Sequence, residues 1–140
     1  MNKYNVFNKT LPHRSWLYWE NLRHIPYQLK EAKQRATRGF ATSDWFNMDS
    51  WFGSVIPEML EEFSEKCYAH PAEMTPEEWK DILNEMAFRL RNATDENVID
   101  KKFSHMANSL AKDREQDKWR REELHKFLEL FEEHFYSLWD

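Results

Sequence analysis

Two glycines and one cysteine in 140 residues remove several kinds of chemistry at the outset. A loop that cradles phosphate with backbone amides needs glycines, so with two in the whole chain a P-loop is not expected. The single Cys67 has no partner for an internal disulfide, which suits a reducing compartment, and on a helix it reads as a small buried thiol. No apolar run approaches the ~20 residues of a membrane-spanning helix. The polar start MNKYNVFNKT lacks the apolar region of a signal peptide. The expectation is a soluble chain with no membrane partner. A basic excess is missing too: 20 Lys and Arg face 25 Asp and Glu, for a net charge of -5. General DNA binding, which rests on neutralising phosphates, is therefore not expected, although a local basic patch is compatible with this balance.

What is abundant is aromatic side chain, 16% of the residues with seven Trp among them. In a small domain such an excess fills a core, because each ring buries a large area; its less common use is a stacking platform. Strand-type alternation, internal repeats and low-complexity segments are all lacking. The pattern predicts an all-α fold of about four main helices, with residues 1–12 an extended or poorly ordered arm and residues 13–140 a single helical domain.

The first helix begins near Arg14, with Trp16, Trp19, Leu22, Ile25 and Leu29 roughly at helical spacing and a kink expected at Pro26. It ends in the basic stretch from Lys30 to Arg38, which complements the helix dipole, with Gly39 as a left-handed C′ residue. The next starts between Asn47 and Ser50, with Asp49 as its cap, and carries the stripe Trp51, Val55, Met59, Phe63 and Cys67, widened by Phe52, Ile56 and Leu60. Pro57 predicts a bend there, not a break, since the period continues through it. MTPEEW is the clearest local signal: Thr75 as N-cap, Pro76 at the first helical position and Glu78 at the third form a capping box. Beyond Pro76 there is no Pro or Gly to the C-terminus. NATDEN, residues 92–97, is the best turn, with Thr94 or Asp95 capping the next helix. An unbroken helix from there over about 42 residues would reach about 60 Å, against a diameter near ~37 Å for a compact domain of this size. Either the polar stretch AKDREQDKWRREE bends, or the overhang packs on a second subunit. A long C-terminal helix or helix pair and a homodimer or higher homo-oligomer are expected.

TRGFATSDWFNMDSWF, Thr37 to Phe52, is the candidate site. Arg35 and Arg38 can bond phosphate, Phe40, Trp45 and Trp51 offer faces for a base, and Asp44 or Asp49 can accept from a ribose hydroxyl or base amino group. Each also has a plain structural reading: the basic cluster terminates a helix, and the aspartates cap a turn and a helix. The same aromatics with charges would serve a protein-binding patch, since Trp, Tyr and Arg dominate interface hot spots. No cofactor and no metal site is expected. The six His lack a metal-binding spacing, and His125 with Glu129, one turn apart near Glu132 and Glu133, is a chance pattern on a charged helix. No nucleophile elbow is present, so a catalytic role has no signature.

In order, RGFATSDWFNMDSWFGSVIPEMLEEF, AEMTPEEWKDILNEMAF and FLELFEEHFYSLWD resemble a family of small proteins of tailed bacteriophages and prophages. The resemblance covers roughly residues 14–140 and is carried by Arg38, Gly39, Phe40, Asp44, Trp79, Ile82, Leu83, Met86, Leu130, Phe131, Phe135, Leu138 and Trp139. It departs where Asp44 is followed directly by Trp45 and Phe46, and where CYAHP stands in place of a Tyr-Pro loop. The resemblance implies a phage product in the bacterial host cytoplasm and carries no activity with it. The leading expectation is an antagonist of host defence that sequesters a small anionic nucleotide signal at the Arg38 to Trp51 corner. The alternatives are an inhibitor that binds a host defence protein with an acidic helical surface, as anti-CRISPR proteins do; a nucleotide-cleaving enzyme centred on Asp44, Asp49 or histidines; and a structural or regulatory phage protein.

Overall fold

The computed structural model describes residues 19–107 and 109–139, and these are all-α. The arm expected over residues 1–12 lies outside the described residues, as does the predicted helix start near Arg14. Four long helices are present as expected: α1 (Trp19–Arg38), α3 (Met48–Lys66), α4 (Pro76–Thr94) and α6 (Leu110–His134). Two short ones join them, α2 (Thr42–Phe46) and α5 (Glu96–Lys102), and a 3₁₀ turn spans Phe135–Ser137. The chain divides into two compact units, residues 1–51 and residues 52–140.

In the first unit α1 continues through Pro26 and ends on Arg35 and Arg38. Gly39 takes φ +83°, the left-handed conformation expected of a C′ residue, and its amide donates to the Arg35 carbonyl at 3.0 Å. The turn after it is short because α2 starts again at Thr42, where the Asp44 carboxylate accepts from the Ala41 amide at 2.7 Å and satisfies one of the free N–H groups of that helix start. Asp49 is not the cap of α3. The helix already includes Met48, so Asp49 sits in its first turn, where a negative charge still suits the positive end of the helix dipole.

The second unit is built on an aromatic and aliphatic core. Trp79, Leu83, Met86, Ala87 and Leu90 of α4 are buried together with Leu60 of α3 and Phe127 of α6. Burying each large side chain contributes about 1.5–3 kcal/mol. The rings interlock: Phe63 meets Trp79 edge-on at 6.5 Å, Phe52 meets Phe127 at 6.1 Å, and Phe127 stacks on Phe131 at 5.3 Å. From α3, Phe52, Ile56, Phe63 and Cys67 pack against this core as their spacing predicts. Met59 does not; it is 60% exposed, because the buried face runs through Gly53, Pro57, Leu60 and Ser64.

Thr75 caps α4 as predicted, accepting from the Glu78 amide at 3.2 Å while Glu78 accepts from the Thr75 amide at 2.8 Å. Of the two candidate residues in NATDEN it is Asp95 that caps α5, its carboxylate accepting from the Asn97 amide at 2.9 Å, while its own amide donates to the Arg91 carbonyl at 2.8 Å and closes α4. The long C-terminal run is thus a helix pair. Its second break lies between Lys102 and Leu110, where Ser109 caps α6, and not in the polar stretch 111–123, which is helical throughout. Alternating charges in that stretch are compatible with a solvated helix and supply no reason to bend it.

One polar network of this unit centres on a buried carboxylate and reaches out to solvent at Lys126. Glu123 of α6 is 3% exposed and accepts from Arg89 Nη1 at 2.9 and 3.0 Å, from Asn92 Nδ2 at 2.7 Å and from Lys126 Nζ at 2.9 Å. Burial alone pushes its carboxyl upward, but the bonds from Asn92, Lys126 and Arg89 win and hold it at about 2. Arg120 donates to the Ala93 carbonyl at 3.0 Å and covers one of the last free carbonyls of α4.

Candidate functional site

The corner between α1 and α2 is assembled by three polar side chains of one α1 face. Arg35 makes a two-pronged bond to Asp44, Nη2 to Oδ1 at 2.6 Å and Nε to Oδ2 at 3.1 Å. Burial pushes the Asp44 carboxyl up, but the Arg35 fork and the Ala41 amide outweigh it and leave Asp44 below the usual carboxylate range. The Asp44 bond in turn raises Arg35. Gln34 is the residue that composition and spacing do not single out. Its Oε1 accepts from the Thr42 amide at 2.8 Å, from the Thr42 hydroxyl at 3.1 Å and from Arg38 Nη2 at 3.2 Å. The i,i+4 spacing of Gln34 and Arg38 on α1 is its one sequence signal.

Arg38 closes the turn from the other side. Its Nε donates to the Phe40 carbonyl at 2.9 Å and its Nη2 to the Thr42 hydroxyl at 3.0 Å, and the guanidinium carbon stands 4.4 Å from the Phe40 ring centroid. Such a cation–π contact at an exposed site contributes about 0.5–1 kcal/mol. Arg35, Arg38, Phe40 and Asp44 are therefore brought together. Arg35 and Asp44 offset each other's charge, leaving Arg38 as the exposed cation of the corner.

Three rings of this segment, those of Phe40, Trp45 and Phe46, face solvent. Trp45 and Phe46 stack on each other with centroids 3.9 Å apart and planes inclined by 21°, at 53% and 69% exposure. Phe40 and Met48 are exposed on either side of them in sequence. None of the five residues of α2 is buried, so hydrophobic burial does not hold this helix in place. Its anchors are the Arg35–Asp44 fork, the Gln34–Thr42 bonds and the fully buried Ala41 just before it. Trp51 is half-buried and Asp49 is exposed in the first turn of α3; both stand outside this hydrogen-bond network.

On α1 the polar face continues inward. Gln28 and Glu31 are buried, and Gln28 Nε2 and Glu31 Oε1 have no hydrogen-bond partner. Tyr27 is raised by its hydroxyl bond to Glu31. Polar residues of this type on a basic helix look solvent-facing in a sequence, and no local pattern marks them as buried.

A separate cleft of about 150 Å³ in the second unit is lined by Cys67, Tyr68, His70, Glu77, Trp79 and Lys80 among others. It is well below the ~300 Å³ at which small-molecule sites begin. His70 Nδ1 lies 3.0 Å from the Pro71 carbonyl, so that nitrogen is engaged by the backbone. His125 and Glu129 approach to 3.3 Å on the exposed face of α6. Among the described residues no group of three or more His, Cys, Asp and Glu is placed to hold a metal ion. Among the described residues, too, no helix is long and apolar enough to cross a membrane. No protein-family model, curated protein or solved structure matches the chain.

Proposed function

We propose that this protein works by occupying another protein, docking the solvent-facing rings of Phe40, Trp45 and Phe46, with Arg38 beside them, into the partner's surface. The observation that carries the reading is that α2 buries none of its residues while its backbone is held by charge-assisted and amide hydrogen bonds. Exposed Trp and Phe side chains lose favourable burial, and a rigid polar scaffold that keeps them exposed fits a preorganised binding surface. Large rings beside an arginine are the composition of interface hot spots. The resemblance to small phage proteins supplies the setting, an inhibitor of a host defence protein in the bacterial cytoplasm.

Sequestration of an anionic nucleotide is the second reading, favoured by the stacked Trp45–Phe46 pair, whose outer face suits a base. It ranks lower because Arg35 is already matched by Asp44, which leaves one exposed cation at the corner to meet phosphate.

Bacteria that carry phage-defence systems and produce the protein are expected to regain plaques for at least one phage those systems block. Replacing Trp45 and Phe46 together by Ala should abolish that gain while circular dichroism stays helical. A gain that survives the double variant contradicts the reading. Depletion of a panel of cyclic and ADP-ribose-type nucleotides, returned intact on heating and lost in the same variant, would move the assignment to sequestration.

A further inference from the structure

We infer that the half-exposed apolar stripe along one flank of α6 is a self-association surface, on which a second copy of this chain packs its own α6 antiparallel. Along α6 the buried side is set by Glu123, Phe127 and His134. Leu124, Leu128 and Phe135 recur at steps of four and seven, which places them on one stripe, and this stripe is 38%, 48% and 50% exposed. It lies beside the core that Phe127 enters, about 60–100° further round the helix, and is half exposed; Phe135 meets the core-packed Phe131 ring edge-on at 5.3 Å.

Charge decides what covers it. At about 100° per residue, Arg121 and Glu132 fall within about 20° of each other on the same flank of the stripe, about three turns apart. Both are exposed, and neither forms an ion pair with another described residue. In a pair of antiparallel helices like flanks face each other. A two-fold axis between Leu124 and Leu128 therefore sets Arg121 of one copy opposite Glu132 of the other, and by symmetry does so twice, over a centre of four leucines. Parallel packing in register would instead turn this flank to the opposite one, setting Arg121 against Arg120 and Glu132 against Phe131. The face is complementary to itself in one direction only, and that feature selects a second copy over a foreign helix.

The test is a charge exchange read by light scattering after gel filtration, with circular dichroism confirming that each variant stays folded. The full chain is expected to be a dimer, and Arg121→Glu or Glu132→Arg alone should weaken it by about tenfold or more, since each change places like charges together at both symmetric contacts. Mixing the two single variants should restore a dimer containing one of each, and the double variant should dimerise with itself. A monomeric parent chain across the accessible concentration range would overturn the proposal. So would single variants as dimeric as the parent, or folded, monomeric single variants that fail to pair on mixing.

Discussion

At the scale of single residues the strongest commitment in the molecule is Glu123. Its carboxyl is held at about 2 against an ordinary 4.5, so on acidification the unfolded chain takes up the proton first. Its contribution to stability is therefore complete above about pH 4.5 and is lost as the pH falls toward 2. The size is about 3 kcal/mol as an upper bound. Glu123→Gln should remove about 2–3 kcal/mol at neutral pH and flatten the stability profile between pH 4.5 and 2, measured by urea unfolding at a series of pH values. Profiles of the two proteins that run parallel through that window would contradict the assignment. In the sequence Glu123 is one acid in a row of alternating charges. Nothing local separates it from Glu122, because its burial is decided by Arg89 and Asn92, more than thirty positions earlier. The corner residues differ. Arg35, Arg38, Phe40 and Asp44 are visible in the sequence as a group, but the capture of Arg35 by Asp44 depends on the length of the turn at Gly39, and Gln34 carries only a weak signal.

At the scale of elements, Gly53 lets α3 come close to Thr94 at the end of α4. A methyl group on Gly53 would lie 2.4 Å from Thr94 Cβ. Thr94 cannot turn aside cheaply, since its hydroxyl donates to the Leu90 carbonyl at 2.7 Å and the Gly53 carbonyl at 3.2 Å. Gly53→Ala is expected to lower stability by about 1–3 kcal/mol in chemical denaturation, although alanine is the better helix former, and an unchanged or raised midpoint would show that the helices can separate there. The elements most legible in the sequence are those with local chemistry at their ends. Thr75, Pro76 and Glu78 announce α4, and Gly39 ends α1. The boundary between α5 and α6 is not legible because residues 103–109 hold no Pro or Gly; Ser109 is a cap that reads as an ordinary serine until the helix after it is known. The apolar stripe of α3 misplaces Met59, since Pro57 and Gly53 lie on the buried face and an apolar count gives them no weight.

At the scale of the whole molecule two surfaces stand out, and they belong to different compact units. The aromatic corner lies in residues 1–51 and the α6 stripe in residues 52–140. An aromatic excess announces the core of the second unit correctly, yet composition does not say which rings stay outside. Trp79 and Trp45 are equally apolar in a sequence; one is 1% exposed and the other 53%, because Trp79 recurs with Leu83, Met86 and Leu90 on one face of a long helix while Trp45 sits on a single short turn. The aromatic corner is proposed to dock on another protein. The most direct test of that docking is a photoreactive phenylalanine analogue placed at Phe46 in the bacterial cell, with the same analogue at Tyr68, which is 94% exposed in the second unit, as the reference. One dominant cross-linked bacterial protein is expected from position 46, absent from position 68 and lost when Trp45 is replaced by Ala. No adduct at position 46, or the same adducts from both positions, would contradict it.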